Sequence, residues 1–529
     1  MLIIVVLILP VLNLPASKAQ TSGANTWNKL LQMPTARGGL GIAVVNGIIY
    51  AIGGVNGGSP VTVNEAFDPD LNSWSTEASM PTARSDFAIA VYDNEIYVIG
   101  GQVGSGFVGN NEVYDPASNT WLTRASMPTP RADLSASIVN GKIYLIGGKE
   151  YSSQSPNYVE TNLTEVYDPA TNTWATAADL PSAVFGYASA VLNGHIYIIG
   201  GSKSSPTSGN DILVNSNQVY NPQTNTWSSA ANLPSAASYG AAVATVGFMA
   251  PARIYFVGGY FTNSYLNTVQ VYNPANDSWS PAVQMPTPRA YLGLTEINDV
   301  IYAIGGFDGQ NYLDAVEAFT PIGYGTAPPQ IQITSPQNTT YTQVSLEYTL
   351  NRPTAWVGYS LDQQANITLN GQPELLNASQ GANSIVVYAN DSLGNMGASN
   401  IVDFSIDRIP PTVMIEAPKN QSYGSTDIQL IFTVDKNASR LTYSLDGQGN
   451  ISVTGNVTLP ALLNGPHSLT VYATDSLGNE GSKTVDFNIS PFPTIPIVAV
   501  VVVAIIILTT GYLFYKGKLL GKKALVNSV

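Results

Sequence analysis

One pattern rules out most folds for this 529-residue chain: a Gly-Gly pair closing an apolar run returns six times, at 53/54, 100/101, 147/148, 200/201, 258/259 and 305/306. The runs read IYAIGG, IYVIGG, IYLIGG or IYIIGG and their variants. Tryptophans keep step at 27, 74, 121, 174, 227 and 279, inside phrases such as VYDPASNTW, VYDPATNTW and VYNPQTNTW. Both series advance by 47 to 58 residues, a period that belongs to repeat architectures. Each unit divides into four short runs: a small-residue strand after MPTAR or its variants, the strand ending in Gly-Gly, the E-V-Y strand and the Trp strand. Asn46-Gly47, Asn140-Gly141 and Asn193-Gly194 stand between the first two runs, and Asn-Gly is the pair a two-residue type I′ hairpin demands, because both positions need positive φ. Four antiparallel strands per unit of about fifty residues make a propeller blade. The expected fold is therefore all-β with six blades, and the 47 glycines and 34 prolines agree with many turns and few helices.

These repeats resemble the kelch family of β-propellers. The resemblance rests on the Gly-Gly pair, the tyrosine before it (Tyr50, Tyr97, Tyr144, Tyr197, Tyr255 and Tyr302), the later Trp and the MPTPR turn, and it covers residues 25–323. The two series are offset. Trp27 precedes the first pair, whereas after Gly306 the chain reads LDAVEAFTPIGYG with no Trp. The last blade is expected to take three strands from the end of the repeat region and its outer strand from Thr26-Trp27, which closes the ring and limits exposed edges.

After Pro328 the pattern changes. YSLDQQANIT (359–368) matches YSLDGQGNIS (443–452), and YANDSLGNMG (388–397) matches YATDSLGNEG (472–481), at a constant offset of 84 residues. Alternation in SIVVYA and SLTVYA reads as half-buried strands, so residues 328–408 and 409–490 are expected to be tandem β-sandwiches. They resemble the immunoglobulin-like modules of prokaryotic surface proteins, without the usual Cys pair and with Trp356 unmatched in the second copy. The role implied is a stalk. Nine N-x-S/T acceptors fall in it (Asn338, Asn366, Asn377, Asn390, Asn420, Asn437, Asn450, Asn456 and Asn488), against Asn162 and Asn276 in the propeller. All eleven are glycosylation candidates, and glycans belong on exposed surface.

The two ends carry apolar segments. Leu2 to Leu12, broken by Pro10 and followed by Ser17 and Ala19 ahead of Gln20, is too short to span a bilayer and reads as a secretory signal over 1–19, although the positive n-region is missing. Ile495 to Tyr515 runs 21 residues without a charge, enough for one transmembrane helix. Lys516, Lys518, Lys522 and Lys523 follow in a basic tail, 516–529, and positive charge stays inside. A single-pass surface protein with residues 20–490 outside is expected; such a surface, without cysteine and rich in acceptor sites, would suit an archaeal cell.

Composition removes several function classes. A formal net charge of -14 argues against nucleic acid, whose phosphates need clustered Lys and Arg. With no Cys there is neither a disulfide framework nor a thiolate metal site. Kelch propellers include galactose-oxidase-like copper enzymes and sialic acid epimerases; the copper chemistry that the resemblance implies needs a Cys-Tyr cross-link and histidine ligands. This chain has two histidines, His195 beside a hairpin turn and His467 in the stalk. No triad, metal cluster or phosphate loop is visible, so neither a cofactor nor a metal is expected.

Arg37, Arg84, Arg131 and Arg289 hold one equivalent position in four units, where the other two have Val184 and Ala237. A column of arginines around a channel suits a carboxylate or a sugar acid. Glutamates vary with them, however: Glu65, Glu112, Glu165 and Glu317 precede the third strand's aromatic pair in the same four units, and Gln218 and Gln270 replace them in the two without Arg. An unpaired buried charge costs several kcal/mol, so joint loss is what an intrablade Arg-Glu bridge would leave. Two residues beyond the arginines stand Gly39, Asp86, Asp133, Gly186, Tyr239 and Tyr291, a mixture that repeat symmetry does not require. Asp86, Asp133, Tyr239 and Tyr291 are candidate ligand-binding residues at the channel mouth. Tyr151, Tyr158, Tyr260, Phe261, Tyr265, Phe307 and Tyr312 in the connections after Gly-Gly join them, since loops on a rigid scaffold carry function. The reading that results is a membrane-anchored surface propeller binding an extracellular carbohydrate or protein. A carbohydrate-active enzyme of the sialate-epimerase kind, with Arg and Glu as working residues, and a structural envelope protein are the alternatives.

Overall fold

The computed structural model describes residues 25–104, 106–152, 158–205, 211–490 and 504–516. The expected signal peptide, residues 495–503 of the expected span and the tail from 517 lie outside them. Six four-stranded antiparallel sheets form, the first from Gly41–Val45, Ile48–Ile52, Asn64–Asp68 and Ser73–Thr76 in that order. In the sixth, Gly293–Ile297, Val300–Ile304 and Val316–Thr320 are completed by Thr26–Lys29 from the other end of the repeats, with Trp27 opposite Phe319. Asn46 and Gly47 have φ of 51° and 79°, the two left-handed positions of a type I′ turn.

The repeated residues tie blade to blade. A Cβ on Gly53 (φ +58°) would lie 2.8 Å from the Arg84 carbonyl oxygen, and Gly54 N–H donates to that same oxygen at 3.0 Å. The Gly-Gly pair thus lets the end of one strand press onto the backbone of the next blade. Each Trp indole reaches back the other way: Trp74 Nε1–H donates to Leu31 O, Trp121 to Ala78 O and Trp174 to Ala125 O. Two residues earlier the turn Asn accepts from the same backbone unit, as Asn72 does from Leu31 N–H and Asn119 from Ala78 N–H. The N-terminal copy does both to Val283, through Trp27 Nε1 and Asn25 Oδ1, each at 3.0 Å. Apolar residues fill the spaces between blades: Tyr50 and Ile52 pack with Phe87, Ile96 and Val98 of the second blade, and Ile304 and Val316 with Ile49 and Phe67 across the closure. The core is a ring of six such clusters.

Two further all-β units follow. The first pairs a three-stranded sheet (Ile331–Ser335, Ser345–Leu350, Glu374–Leu375) with a second built on Gly381–Asn390, and residues 413–489 repeat the strand order. Each unit has its own core, around Leu346 and Ile385 in one and Leu430 and Leu469 in the other. Where other blades have a tight turn, the fifth carries a longer one over 246–252. Asp299 holds this turn through the N–H groups of Val246 (2.7 Å), Met249 (2.6 Å) and Ala250 (2.9 Å). Arg352 of the next unit donates to Phe248 O and Ala327 O and pairs with Asp391 at 2.9 Å, while Asn395 Nδ2 donates to Gly325 O. At the following junction Lys436 pairs with Asp475 and Asp407, and Asn479 donates to Asp407 O. The first unit therefore docks on the turn side of the propeller, opposite the side where the Gly-Gly connections emerge.

Nine of the eleven acceptor asparagines are exposed. Asn488 is half-buried, and so is Asn390, whose side-chain oxygen is enclosed at the end of Gly381–Asn390; the exposed surface expected of Asn390 is corrected by its place in the strand. Among the described residues no helix is long and apolar enough to cross a membrane. The described part of the C-terminal helix covers residues 504–516.

Candidate functional site

Gly39, Asp86, Asp133, Gly186, Tyr239 and Tyr291 all adopt the left-handed conformation, with φ between 52° and 62°. In that conformation each N–H meets the carbonyl of its counterpart one blade back. Gly39 donates to Tyr291 O (2.9 Å), Asp86 to Gly39 (2.9 Å), Asp133 to Asp86 (2.9 Å), Gly186 to Asp133 (3.0 Å), Tyr239 to Gly186 (2.6 Å) and Tyr291 to Tyr239 (2.8 Å). Six hydrogen bonds close on themselves around the axis. The backbone makes the ring, so the side chains are released to differ. Two tyrosines at positive φ are uncommon, and strain of this kind is held only where the surroundings fix it.

Those side chains form an uneven rim. Tyr239 and Tyr291 stack with ring centroids 4.3 Å apart. Asp133 pairs with Lys149 at 2.9 Å, and the Lys149 ammonium lies over Phe185 (4.1 Å) and Tyr158 (4.4 Å) and donates to Tyr239 Oη at 3.1 Å. Asp86 accepts from Ser85 Oγ at 2.8 Å. Burial, and after it the Asp133 carboxylate, push Asp86 up to about 7. Its folded value exceeds the unfolded one, so the folded chain keeps a proton that the unfolded chain has released, and stability falls as pH rises from about 4 to about 7. Asp86→Asn keeps a residue tolerant of this backbone and removes the charge. The variant is expected to melt with the parent at pH 4 and to be more stable at pH 8 by about 1–2 kcal/mol, after screening at a partly exposed site is allowed for. Thermal melts across that range check it; an advantage independent of pH would remove the role given to the charge.

Over the axis itself the cavity is about 120 Å³, with Asp86, Asp133, Tyr239 and Tyr291 in its lining. Beside it a groove of about 760 Å³ opens between the fourth and fifth blades, lined by Ser202, Asp211, Ser238, Asn263 and the rings of Tyr239, Tyr260, Phe261, Tyr265 and Tyr291. Ser202 and Ser238 are each 1% exposed, and their hydroxyls have no hydrogen-bond partner among the described residues. Such groups are uncommon in folded proteins and ask for a reason. Five of the aromatic candidates meet here. Phe307 and Tyr312 pack next to Tyr265, Tyr158 covers Lys149, and Tyr151 projects into solvent, 67% exposed. Ser202, Asp211 and Ser238 were absent from the sequence candidates. Ser202 had a readable signal: it follows Gly-Gly where sister blades carry Val55, Gln102, Lys149, Tyr260 and Phe307.

The arginines are not part of the groove. Arg37, Arg84, Arg131 and Arg289 are fully buried and meet Glu65, Glu112, Glu165 and Glu317 at 2.7, 3.0, 2.7 and 2.9 Å. Each also donates to main-chain carbonyls of its own blade, Arg37 to Gly53 O and Val63 O. Burial lowers Arg37, Arg84 and Arg289 to about 10, which leaves them charged at neutral pH. In the fourth blade Gln218 and the Ser182 backbone exchange two hydrogen bonds instead, at 3.0 and 3.1 Å. His195 is half-buried at its hairpin and its Nδ1 meets Asn193 O. Among the described residues no group of His, Asp and Glu is arranged to hold a metal ion.

Residues 39–250 match the KLHDC2/KLHL20/DRC7 Kelch-repeats domain, and 253–286 and 288–323 match the Kelch motif. Kelch-like protein 21 of Danio rerio is 30% identical over 141 residues, 26% of this chain and 20% of that protein. Kelch-like protein terF of Aspergillus terreus is 30% identical over 153 residues, 27% of this chain and 32% of that protein. The match thus spans a third or less of these relatives' own length. A solved structure described as "Structure of YjhT" aligns at 19% identity and a TM-score of 0.46, over 54% of this chain and 96% of that one. With kelch matches running from residue 39 to residue 323 on six blades closed by an N-terminal strand, the chain is a kelch-repeat protein.

Proposed function

We propose that this chain is a cell-surface binding protein whose propeller takes a partner protein in the groove beside the backbone ring. One observation carries the reading: five aromatic rings and Asp211 line a groove of about 760 Å³ on the side turned away from the docked β-unit, with the enclosed, unpartnered hydroxyls of Ser202 and Ser238 in its wall. Kelch repeats generally serve as protein-binding modules, which agrees with it. The remaining parts follow from the sequence: a signal at 1–19, a span at 495–515 followed by lysines, and two sandwich modules, immunoglobulin-like in pattern, acting as a stalk. Nine exposed acceptor asparagines suit a glycosylated surface chain. Adhesion is the simplest use of such a design. The enzyme alternative loses its working residues, because each arginine of the column is enclosed with its own glutamate.

The full chain, displayed on cells, is tested against an array of host surface proteins and an array of glycans, alongside Tyr239→Ala/Tyr291→Ala and Tyr260→Ala. Protein binding lost in the variants while their melting curves persist is expected. Binding that survives them would overturn the location, and selective binding of glycans alone would replace the protein ligand by a carbohydrate.

A further inference from the structure

The protein already contains one cage for a cation. Lys149, immediately after the third Gly-Gly, sits among Tyr158, Phe185 and Tyr239 with Asp133 as its counter-charge. Ring faces attract ammonium and guanidinium groups, more so where water is partly excluded. In the fifth blade the residue after Gly-Gly is Tyr260, which meets Tyr265 edge-on at 5.4 Å; these two rings and the stacked Tyr239 and Tyr291 line the groove with Asp211 at its edge. The lining includes no lysine or arginine.

We infer that this groove takes a lysine or arginine side chain carried on an extended segment of a partner protein, the cation lodging among Tyr239, Tyr260 and Tyr265 against Asp211, and the segment's peptide groups bonding Ser202 and Ser238. The inference rests on the groove being the binding surface. Charge complementarity supports it: Asp211 is the one charged residue of the lining, so the groove wall itself suits a cation better than a sugar acid, and of the charged groups acting on Asp211 the Lys149 ammonium, held by Asp133, comes ahead of Asp133 and Glu160. The serines separate a peptide from a free amine. Both hydroxyls are enclosed in the groove wall without a partner, so a seated segment reaches them only by displacing the side chains over them, and a peptide backbone then supplies a donor and an acceptor on either side of the basic residue.

The test uses the purified full chain and fluorescein-labelled nonapeptides of Gly and Ser with a central Lys, Arg, acetyl-Lys, Gln or Glu, read by fluorescence anisotropy. The Lys and Arg peptides are expected to bind about tenfold tighter than the Gln and acetyl-Lys peptides and to weaken with salt. Asp211→Asn and Tyr260→Ala should each lower the affinity for the Lys peptide about fivefold. Equal binding of the Gln or Glu peptides, abolished by Tyr260→Ala, would overturn the cation and leave the groove standing. Lys-peptide binding indifferent to both variants would overturn the groove as well. A folded chain that binds none of the peptides would also overturn the cation inference.

Discussion

Arg84→Val is expected to destabilise the propeller by about 3–5 kcal/mol, the range for stripping one partner from a buried ion pair. Arg84 is fully buried and bonds Gly100 O (3.1 Å), Asn110 O (3.0 Å), Val98 O (2.9 Å) and Glu112 Oε2 (3.0 Å). Valine in its place leaves a carboxylate 4% exposed, held by Thr82 Oγ1 at 2.6 Å and by no cation. The fourth blade shows how the chain manages without the pair: Val184 stands at the arginine position and Gln218 at the glutamate position, with the glutamine amide bonding both polar groups of the Ser182 backbone. Arg84→Val/Glu112→Gln copies that solution into the second blade. It should recover about 2 kcal/mol of the loss, a coupling well above the additivity error of independent sites. Denaturant titration of parent, both singles and the double measures it. Additive losses, with the double no better than the sum, would show that the arginine acts only through the carbonyls it caps.

That pairing was legible in the sequence because the repeats supply their own comparison: Arg and Glu are present together in four blades and absent together in two. The blade count, the type I′ turns and the closure by Trp27 were legible for the same reason, each being a local pattern returned at a fixed period. The backbone ring was not. Its six members share a φ rather than a side chain; Gly39, Gly186, Asp86 and Asp133 all suit the left-handed region, but Tyr239 and Tyr291 conceal the common property. The groove was legible in part: its five rings were among the candidates, whereas Asp211 lies in a long connection with no periodicity, and Ser202 differs in type from its sister positions without revealing its burial. Asn390 reads as an acceptor because the triplet is local, whereas its enclosure depends on strands far along the chain. The DSLGN phrase was visible twice with no role attached. Its Asp and Asn prove to be the junction residues: Asp391 accepts from Leu393 and Asn395 N–H, and Asp475 from Leu477 and Asn479 N–H, while each Asn grips the segment ahead of its unit.

Trp27→Ala should cost about 3 kcal/mol, the lower end for removing a large aromatic, because the indole is half-buried rather than enclosed. What it loses is defined: packing on Phe319 with ring centroids 4.9 Å apart and the bond to Val283 O at 3.0 Å. Trp121→Ala is the internal control. That indole packs on Tyr114 at 5.1 Å and bonds Ala78 O at 2.8 Å, so the local loss is similar. The difference lies in connectivity. Trp121 belongs to a strand joined to its neighbour by a short turn, whereas Thr26–Lys29 pairs with Val316–Thr320 from nearly three hundred residues away, and no turn returns it once it leaves. Loosening it exposes Val316–Thr320 as an open edge, the template for pairing with another chain. Amide exchange at 316–320 is therefore expected to accelerate in Trp27→Ala well before global unfolding and not at the corresponding residues 111–115 in Trp121→Ala, with concentration-dependent oligomers appearing only in the former. Equal exchange at the two edges would mean that Trp27 stabilises the sixth blade as any outer tryptophan does and that the ring is held shut by the six interblade cores and the axial hydrogen bonds instead.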